Sequence, residues 1–177
     1  MRENLRDLKA SGSARLSGGA YRDVDVSGSA HIDGDIVCEN FGASGSVKVT
    51  GAVSCDQFRA SGSARIDGNL TASEVKSSGS TSIRGSVDAR ELNASGSFKA
   101  EGGVTAEGEV RVSGSSSFGG PIRARTVRTS GSFKAVRGIE CETLTVMGSI
   151  DVDGLVNAGA AEIDLAGPSH IDEIGGE

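Results

Sequence analysis

The chain has 177 residues, 27 of them glycine and none tryptophan; 36% are hydrophobic and only 3% aromatic, and the formal net charge is −6. Its length suits a single domain. The mixed, mildly acidic charge is not the basic footprint of a nucleic-acid-binding protein, and the sequence contains no apolar run of 18 residues that would predict a transmembrane segment.

The first ten residues, Met1 to Ala10, are polar and charged. They lack the apolar stretch of a secretory signal peptide. We therefore expect residues 1–10 to form a polar N-terminal leader and the protein to be cytoplasmic.

A repeat of about 17 residues begins at residue 11 and continues to residue 166. A fixed period of this size predicts a solenoid, in which each repeat covers the next. Each repeat starts with Ser-Gly-Ser or a close variant. The central glycines are Gly12, Gly28, Gly45, Gly62, Gly79, Gly96, Gly114, Gly131 and Gly148.

Within each repeat, apolar or small residues occur in three pairs. Counted from the central glycine as position zero, they lie at +2 and +4, +8 and +10, and +13 and +15. A spacing of two is typical of a strand with one buried face, whereas an amphipathic helix needs spacings of three and four. Each repeat is therefore predicted to be three short strands separated by bends. One repeat reads Val47, Val49, Val53, Cys55, Phe58 and Ala60.

Three strands and three bends make one triangular rung of an all-β, single-stranded parallel β-helix. We expect about nine to ten such rungs, stacked at the usual strand spacing of about 4.8 Å, over residues 11–166. Parallel crossover connections favour a right-handed coil. Residues 167–177 break the pattern and are predicted to be a degenerate C-terminal rung or tail.

Position +3 lies between two inward positions, so its side chains should point outward and form a basic column along the rod. The column contains Arg15, His31, Lys48, Arg65, Lys99 and Lys134. It indicates either a binding surface for an acidic partner or an ordinary solvated face, and we favour the solvated face because acidic residues recur at position +5.

The sequence predicts no catalytic, cofactor-binding or metal-binding residue, and we expect that the protein is not an enzyme. The three cysteines occupy an inward slot that holds alanine elsewhere, as small buried side chains do. The serines beside the central glycines recur in every rung, whereas a nucleophile is a single residue with a base beside it. A β-helix acyltransferase is the least favoured alternative, because the chain lacks the hexapeptide signature and the loop insertions of those enzymes.

Three segments resemble the bactofilins, a bacterial family of polymer-forming cytoskeletal proteins, and in particular their Ser-Gly-Ser-rich members of Bacillus type. The first runs from Ala10 to Tyr21 with residues 32–38 following, the second is Ala60 to Gly68, and the third runs from Val152 to Glu177. The resemblance covers nearly the whole chain.

This resemblance implies a right-handed β-helix that assembles without nucleotide and positions cell-envelope, cell-shape or motility machinery. The implied partners are other copies of the chain, a paralogous bactofilin, and envelope or motility proteins. The implied location is the cytoplasm, with partners bringing the protein to the inner membrane.

The two ends of a β-helix carry unpaired backbone groups and a slice of apolar core, which favours pairing with another chain. We therefore expect end-to-end assembly through apolar side chains of the terminal rungs. The alternative is a rod that does not polymerise and recruits an acidic partner through the basic column. The expected interface residues are Leu5, Leu8, Leu16, Val24, Leu165, Ile171 and Ile174.

Overall fold

The computed structural model describes residues 5–175, which contain fifteen β-strands and no helix. All strands belong to one sheet, and all pairings between them are parallel. The strands are β1 Arg6–Ala10, β2 Ser13–Val26, β3 Ser29–Val37, β4 Asn40–Ala43, β5 Ser46–Val49, β6 Val53–Ala60, β7 Ser63–Ile66, β8 Leu70–Ser77, β9 Ser80–Ile83, β10 Val87–Ala100, β11 Val104–Ala106, β12 Glu109–Phe118, β13 Ile122–Ala135, β14 Ile139–Leu165 and β15 His170–Gly175.

The pairing register equals the sequence repeat. Ser46 of β5 lies beside Ser63 of β7, and Phe58 of β6 lies beside Val75 of β8, so each residue pairs with the one 17 positions later. Where one repeat has 18 residues, Gly96 pairs with Gly114 and the ladder continues unbroken. The chain is therefore a parallel β-solenoid of about ten turns, as the sequence predicts.

Each rung has three sides. In the rung of Gly45, β5 forms the first side, and β6 forms the second and third sides. The burial of β5 and β6 alternates as the spacing of two requires, with Val47, Val49 and Val53 at most 3% exposed. In later rungs a single strand bends around the corners, and β14 covers more than one whole turn.

The interior is a stack of aliphatic side chains with two groups of phenylalanines. Phe41 and Phe58 stack at adjacent rungs with ring centroids 5.2 Å apart. In the second group, Phe118 lies 5.9 Å from Phe98 and 5.3 Å from Phe133. Phe98 and Phe133 lie at position +2 of their rungs, but the rung between them has the buried Ser116 at +2. Phe118, at position +4 of that middle rung, supplies the ring that contacts both.

The central glycines stack into a ridge along one corner of the triangle. A Cβ atom added at Gly62 would lie 2.1 Å from the carbonyl oxygen of Gly45 in the rung below. Cβ atoms do not approach backbone oxygens so closely, because the van der Waals radii of the two atoms would overlap. The ridge therefore requires glycine so that successive corners can touch.

At the N-terminus, residues 6–10 of the predicted polar leader form β1 and pair with β2. Residues 1–4 of the predicted leader lie outside the described residues. At the C-terminus, β15 pairs with β14 through an irregular register and adds part of a further rung. Much of β15 is exposed.

Candidate functional site: the two ends of the coil and its basic column

The C-terminal end of the coil is incompletely covered. The pairing of β15 with β14 runs from Asp151 to Asn157. Beyond it, residues 159–165 of β14 are exposed apart from the half-buried Ile163. Among residues 5–175, no further strand lies over this third side of the last full rung. Its upper edge therefore presents backbone groups that a strand could pair with.

Apolar side chains lie beside this open edge. Leu165 is 51% exposed and Ile174 is 59% exposed, while Ile171 is half-buried and packs against the core. Met147 and Leu155, which the sequence analysis did not single out, are also largely exposed near this end. Large apolar side chains left exposed at one end of the coil favour a contact surface there.

At the N-terminal end, Leu5, Leu8 and Leu16 are half-buried. Val24 is different, because it pairs in register with Leu8 and is only 2% exposed. It lies one rung inside the end, covered by β1. The half-buried Tyr21 was missed by the sequence analysis; its hydroxyl donates a hydrogen bond to the Ser17 carbonyl oxygen at 2.9 Å.

Charge is distributed unevenly along the rod. Residues 1–22 contain five Lys and Arg against two Asp and Glu, whereas residues 138–177 contain nine Asp and Glu and no Lys or Arg. Between them, residues 23–137 contain thirteen of each sign. A count of charges along the repeat order would have revealed this asymmetry. The exposed acidic side chains nearest the open edge are Glu162, Asp164, Asp172 and Glu173.

One group near the C-terminal end has the composition of a metal site. The ligand atoms of Asp153, His170 and Asp172 lie within 4.8 Å of one another, and all three side chains are exposed. His170 Nε2 lies 2.8 Å from Asp172 Oδ1, so a hydrogen bond accounts for this approach. The backbone N–H of Gly154 donates to the other Asp172 oxygen at 2.9 Å. Asp153 and Asp172 add to the negative charge of this end.

The residues of the predicted basic column do lie in one register column. Arg15 pairs with His31, His31 with Lys48, and Lys48 with Arg65. Lys99 and Lys134 continue the column across Ser82 and Ser117. These residues therefore occupy equivalent positions in successive rungs.

Most cations of the basic column are bonded to neighbouring carboxylates. Arg15 Nε donates to Asp33 Oδ2 at 2.7 Å, and this hydrogen bond holds the pKa of Asp33 below its usual value. Lys134 Nζ lies 2.9 Å from Asp151, whose hydrogen bond raises the pKa of Lys134. Ion pairs of this exposed kind are typical of a solvated face and contribute little stability.

A second basic column, which the sequence analysis missed, lies on the other side of the glycine ridge. It contains Arg59, Lys76, Arg111 and Arg128 at three residues before each central glycine, and its members also approach carboxylates. Arg111 and Arg128 share Glu109, at 3.2 and 3.4 Å. Both faces beside the ridge are thus striped with paired charges.

Two open troughs follow the ridge, with volumes of about 770 and 580 Å³. Serines lie on both sides of each central glycine from Gly12 to Gly131 and line both troughs, whereas Gly148 has a serine only after it. The ladder of the following serines, from Ser13 to Ser149, is continuous. The Ser27 hydroxyl donates to the Ala10 carbonyl oxygen at 3.4 Å, which suits the local backbone bonding expected of corner serines.

The cysteines occupy the inward slot predicted for them, and all three are free thiols. Cys38 and Cys55 are buried. A hydrogen bond with Cys38, followed by burial, raises the pKa of Cys55 far above that of an ordinary thiol. Burial raises the pKa of the half-buried Cys141 to about 11. Both shifts favour protonated thiols, which react slowly.

These features define a parallel β-solenoid protein with striped lateral faces and ends of unlike charge. Comparisons with models of known protein families, with curated proteins and with solved structures find no match to this chain. Among the described residues, no helix has the length and apolar character needed to cross a membrane.

Proposed function

We propose that this protein is a non-enzymatic, bactofilin-type cytoskeletal scaffold. It self-assembles end to end through the terminal rungs of its β-solenoid and does so without nucleotide. As a homopolymer, or together with a paralogous chain, it positions cell-envelope, cell-shape or motility machinery from the cytoplasmic side.

The proposal rests on the open edge of residues 159–165 with the exposed side chains of Leu165 and Ile174 beside it. An uncovered strand offers N–H and C=O groups to another chain. Solenoids that remain monomeric in solution block their ends with polar capping repeats. Here the last full rung ends in Leu165, which is 51% exposed, so another copy of the chain would gain both backbone bonds and apolar contact.

The lateral faces support the same proposal, because they offer little for a partner to bind. Because most cations of both basic columns are bonded to nearby carboxylates, the sides of the rod offer little uncompensated positive charge. A charge-satisfied side and an apolar end direct association along the axis. This arrangement favours a filament over the alternative in which the basic column recruits an acidic partner.

The test is to compare Leu165→Lys with Val37→Lys by electron microscopy and sedimentation of the purified protein. Val37 is a matched control, because it is 54% exposed but lies on the side of the rod in β3. We expect the parent and Val37→Lys to form long assemblies, and Leu165→Lys to remain small because a charge would be buried in the contact.

Ile171→Lys provides a second variant at the same end, with its fold checked by circular dichroism. If Leu165→Lys and a folded Ile171→Lys both assemble as well as the parent, the C-terminal end is not the contact. If the parent stays monomeric at all protein concentrations, the scaffold proposal is wrong.

A further inference from the structure

The two ends of the coil differ in shape in a way that gives the assembly a direction. Resting on the proposed end-to-end assembly, we propose that copies join head to tail. In this contact β1 of one copy lies on residues 159–165 of the next and completes its last rung.

The described strands leave complementary steps at the two ends. β15 continues the first side through Ile171 and the second side through Ile174, because these residues pair with Val152 and Val156. It supplies no third side. At the other end, β1 pairs with residues 21–26 of β2, which form a third side. Among the described residues, the last partial rung therefore has a first and a second side but no third side. At the N-terminal end, β1 forms a third side that extends beyond the first full rung.

Continuing the ladder across the contact fixes which side chains would meet. β1 places Leu8, Lys9 and Ala10 beside the third side of its own first rung, in register with Val24, Asp25 and Val26. The corresponding residues of the last full rung are Ala161, Glu162 and Ile163. This assignment follows from Gly159, which lies against Glu142, and from the hydrogen bond between Ala166 N and Gly148 O.

The side chains that meet in this register are compatible. Leu8 would lie on Ala161 and Leu16 on Ile171, so the half-buried apolar residues of both ends would be covered. Lys9 would lie beside Glu162, and both are exposed in the single chain. Opposite charges on adjacent strands stabilise such a pair by about 0.2–1 kcal/mol.

The opposite arrangement, in which like ends meet, is disfavoured by both charge and shape. Two C-terminal ends would bring their exposed Glu162, Asp164, Asp172 and Glu173 together, and like charges in contact are destabilising. In each of these two C-terminal ends, β15 covers the first and second sides of the last full rung and leaves the third side uncovered. Neither copy would supply a strand for the other, so residues 159–165 of both copies would stay unpaired. The N-terminal ends would bring Arg6 and Lys9 against their counterparts.

Cross-linking of single-cysteine variants tests the direction. In a background with Cys38, Cys55 and Cys141 changed to Ala, Lys9→Cys and Glu162→Cys are prepared separately, with one copy carrying a larger tag. Adjacent strands bring paired Cα atoms to about 5 Å, which is within disulfide range. Ser54→Cys, exposed on the side of the rod, is the control.

We expect mild oxidation of the mixture to give Lys9→Cys with Glu162→Cys dimers, whereas each variant alone and the control give none. Dimers of Glu162→Cys alone, or of Lys9→Cys alone, would show that like ends meet and would overturn the proposal. Assemblies visible by electron microscopy without the mixed dimer would overturn this contact while sparing end-to-end assembly. Variants and parent that all remain monomeric would overturn both.

Discussion

The glycine at each Ser-Gly-Ser corner is the residue on which the stacking of one turn on the next depends. At Gly62, an added Cβ would lie 2.1 Å from a backbone oxygen that cannot move without disturbing the ladder. Gly42 lies within β4, and there the nearest atom to an added Cβ is 3.8 Å away. Replacing each glycine by alanine therefore distinguishes a steric clash of the added Cβ from the general effect of losing the conformational freedom of glycine.

We predict that Gly62→Ala destabilises the protein by about 1–3 kcal/mol, because overpacking forces the backbone apart. Gly42→Ala should be neutral or stabilising by up to about 1 kcal/mol, since alanine restricts the unfolded chain. Urea unfolding followed by circular dichroism measures both. Equal midpoints for the two variants would contradict the close approach of the corners.

Cys141 allows a test of burial by chemistry. Its pKa of about 11 leaves roughly one thiol in a thousand ionised at pH 8, against about a quarter for a free cysteine of ordinary pKa. We therefore predict that a disulfide reagent modifies the folded protein about 100-fold more slowly than the protein in urea. The rate should rise about tenfold per pH unit up to pH 11, because only the thiolate reacts.

The reagent's first reaction in the folded protein is assigned to Cys141 by comparison with Cys141→Ala. Cys38 and Cys55 are more deeply buried and should react only as the chain unfolds. Rapid modification of Cys141 at pH 7 would show that its thiol is more accessible than the structure indicates.

Among the strands, β13 contains one mismatch between a side chain and its surroundings. Thr129 is 3% exposed, and its hydroxyl has no hydrogen-bond partner among the described residues. Its neighbours in the ladder are Val112 and Val146. Valine has nearly the same shape as threonine and would place a methyl group where the unbonded oxygen now lies.

Thr129→Val should accordingly stabilise the protein by about 1–2 kcal/mol, since it removes an unpaid desolvation cost. Thr71→Val, at an exposed position of β8, is the control and should change stability by less than about 0.5 kcal/mol. Thermal and urea unfolding measure the difference. Destabilisation of Thr129→Val would indicate that the hydroxyl has a partner, such as a buried water.

The strands were predictable from the sequence to the extent that a local pattern specifies them. Inward positions such as Val47 and Val53 follow from the spacing of two, and the outward basic column follows from its place between them. β1 escaped prediction because Leu8 and Ala10 are only one pair of such residues in a charged segment. In the rung of Gly114 the aromatic ring comes from Phe118 and not from position 116. This arrangement depends on packing against the neighbouring rungs, and nothing in a single repeat indicates it.

At the scale of the whole molecule, the sequence indicates that the ends should be open but not how they differ. The burial of Val24 depends on the pairing of β1. Residues 159–165 are left uncovered by the described strands because the pairing of β15 with β14 ends at Asn157. The axial charge difference is present in the sequence, yet it gains meaning only when the chain is known to form a rod with two separate ends.

The charge difference leads to a prediction for assembly as a whole. If acidic and basic ends attract, association of the parent should weaken as NaCl rises from about 50 to about 500 mM, because salt screens exposed charges beyond a few ångströms. Lys9→Glu and Glu162→Lys should each weaken association, and the two changes combined in one chain should restore it. Lys48→Glu, on the side of the rod, serves as the control.

Sedimentation across protein concentration measures each variant at both salt concentrations. Restoration by the double variant requires residues 9 and 162 of different copies to meet, which occurs only when unlike ends join. In a filament of like ends, Lys9→Glu would leave the C-terminal contact unchanged, and Glu162→Lys would strengthen that contact by reducing its repulsion. A double variant that assembles no better than Lys9→Glu alone would show that charge does not set the direction of the rod.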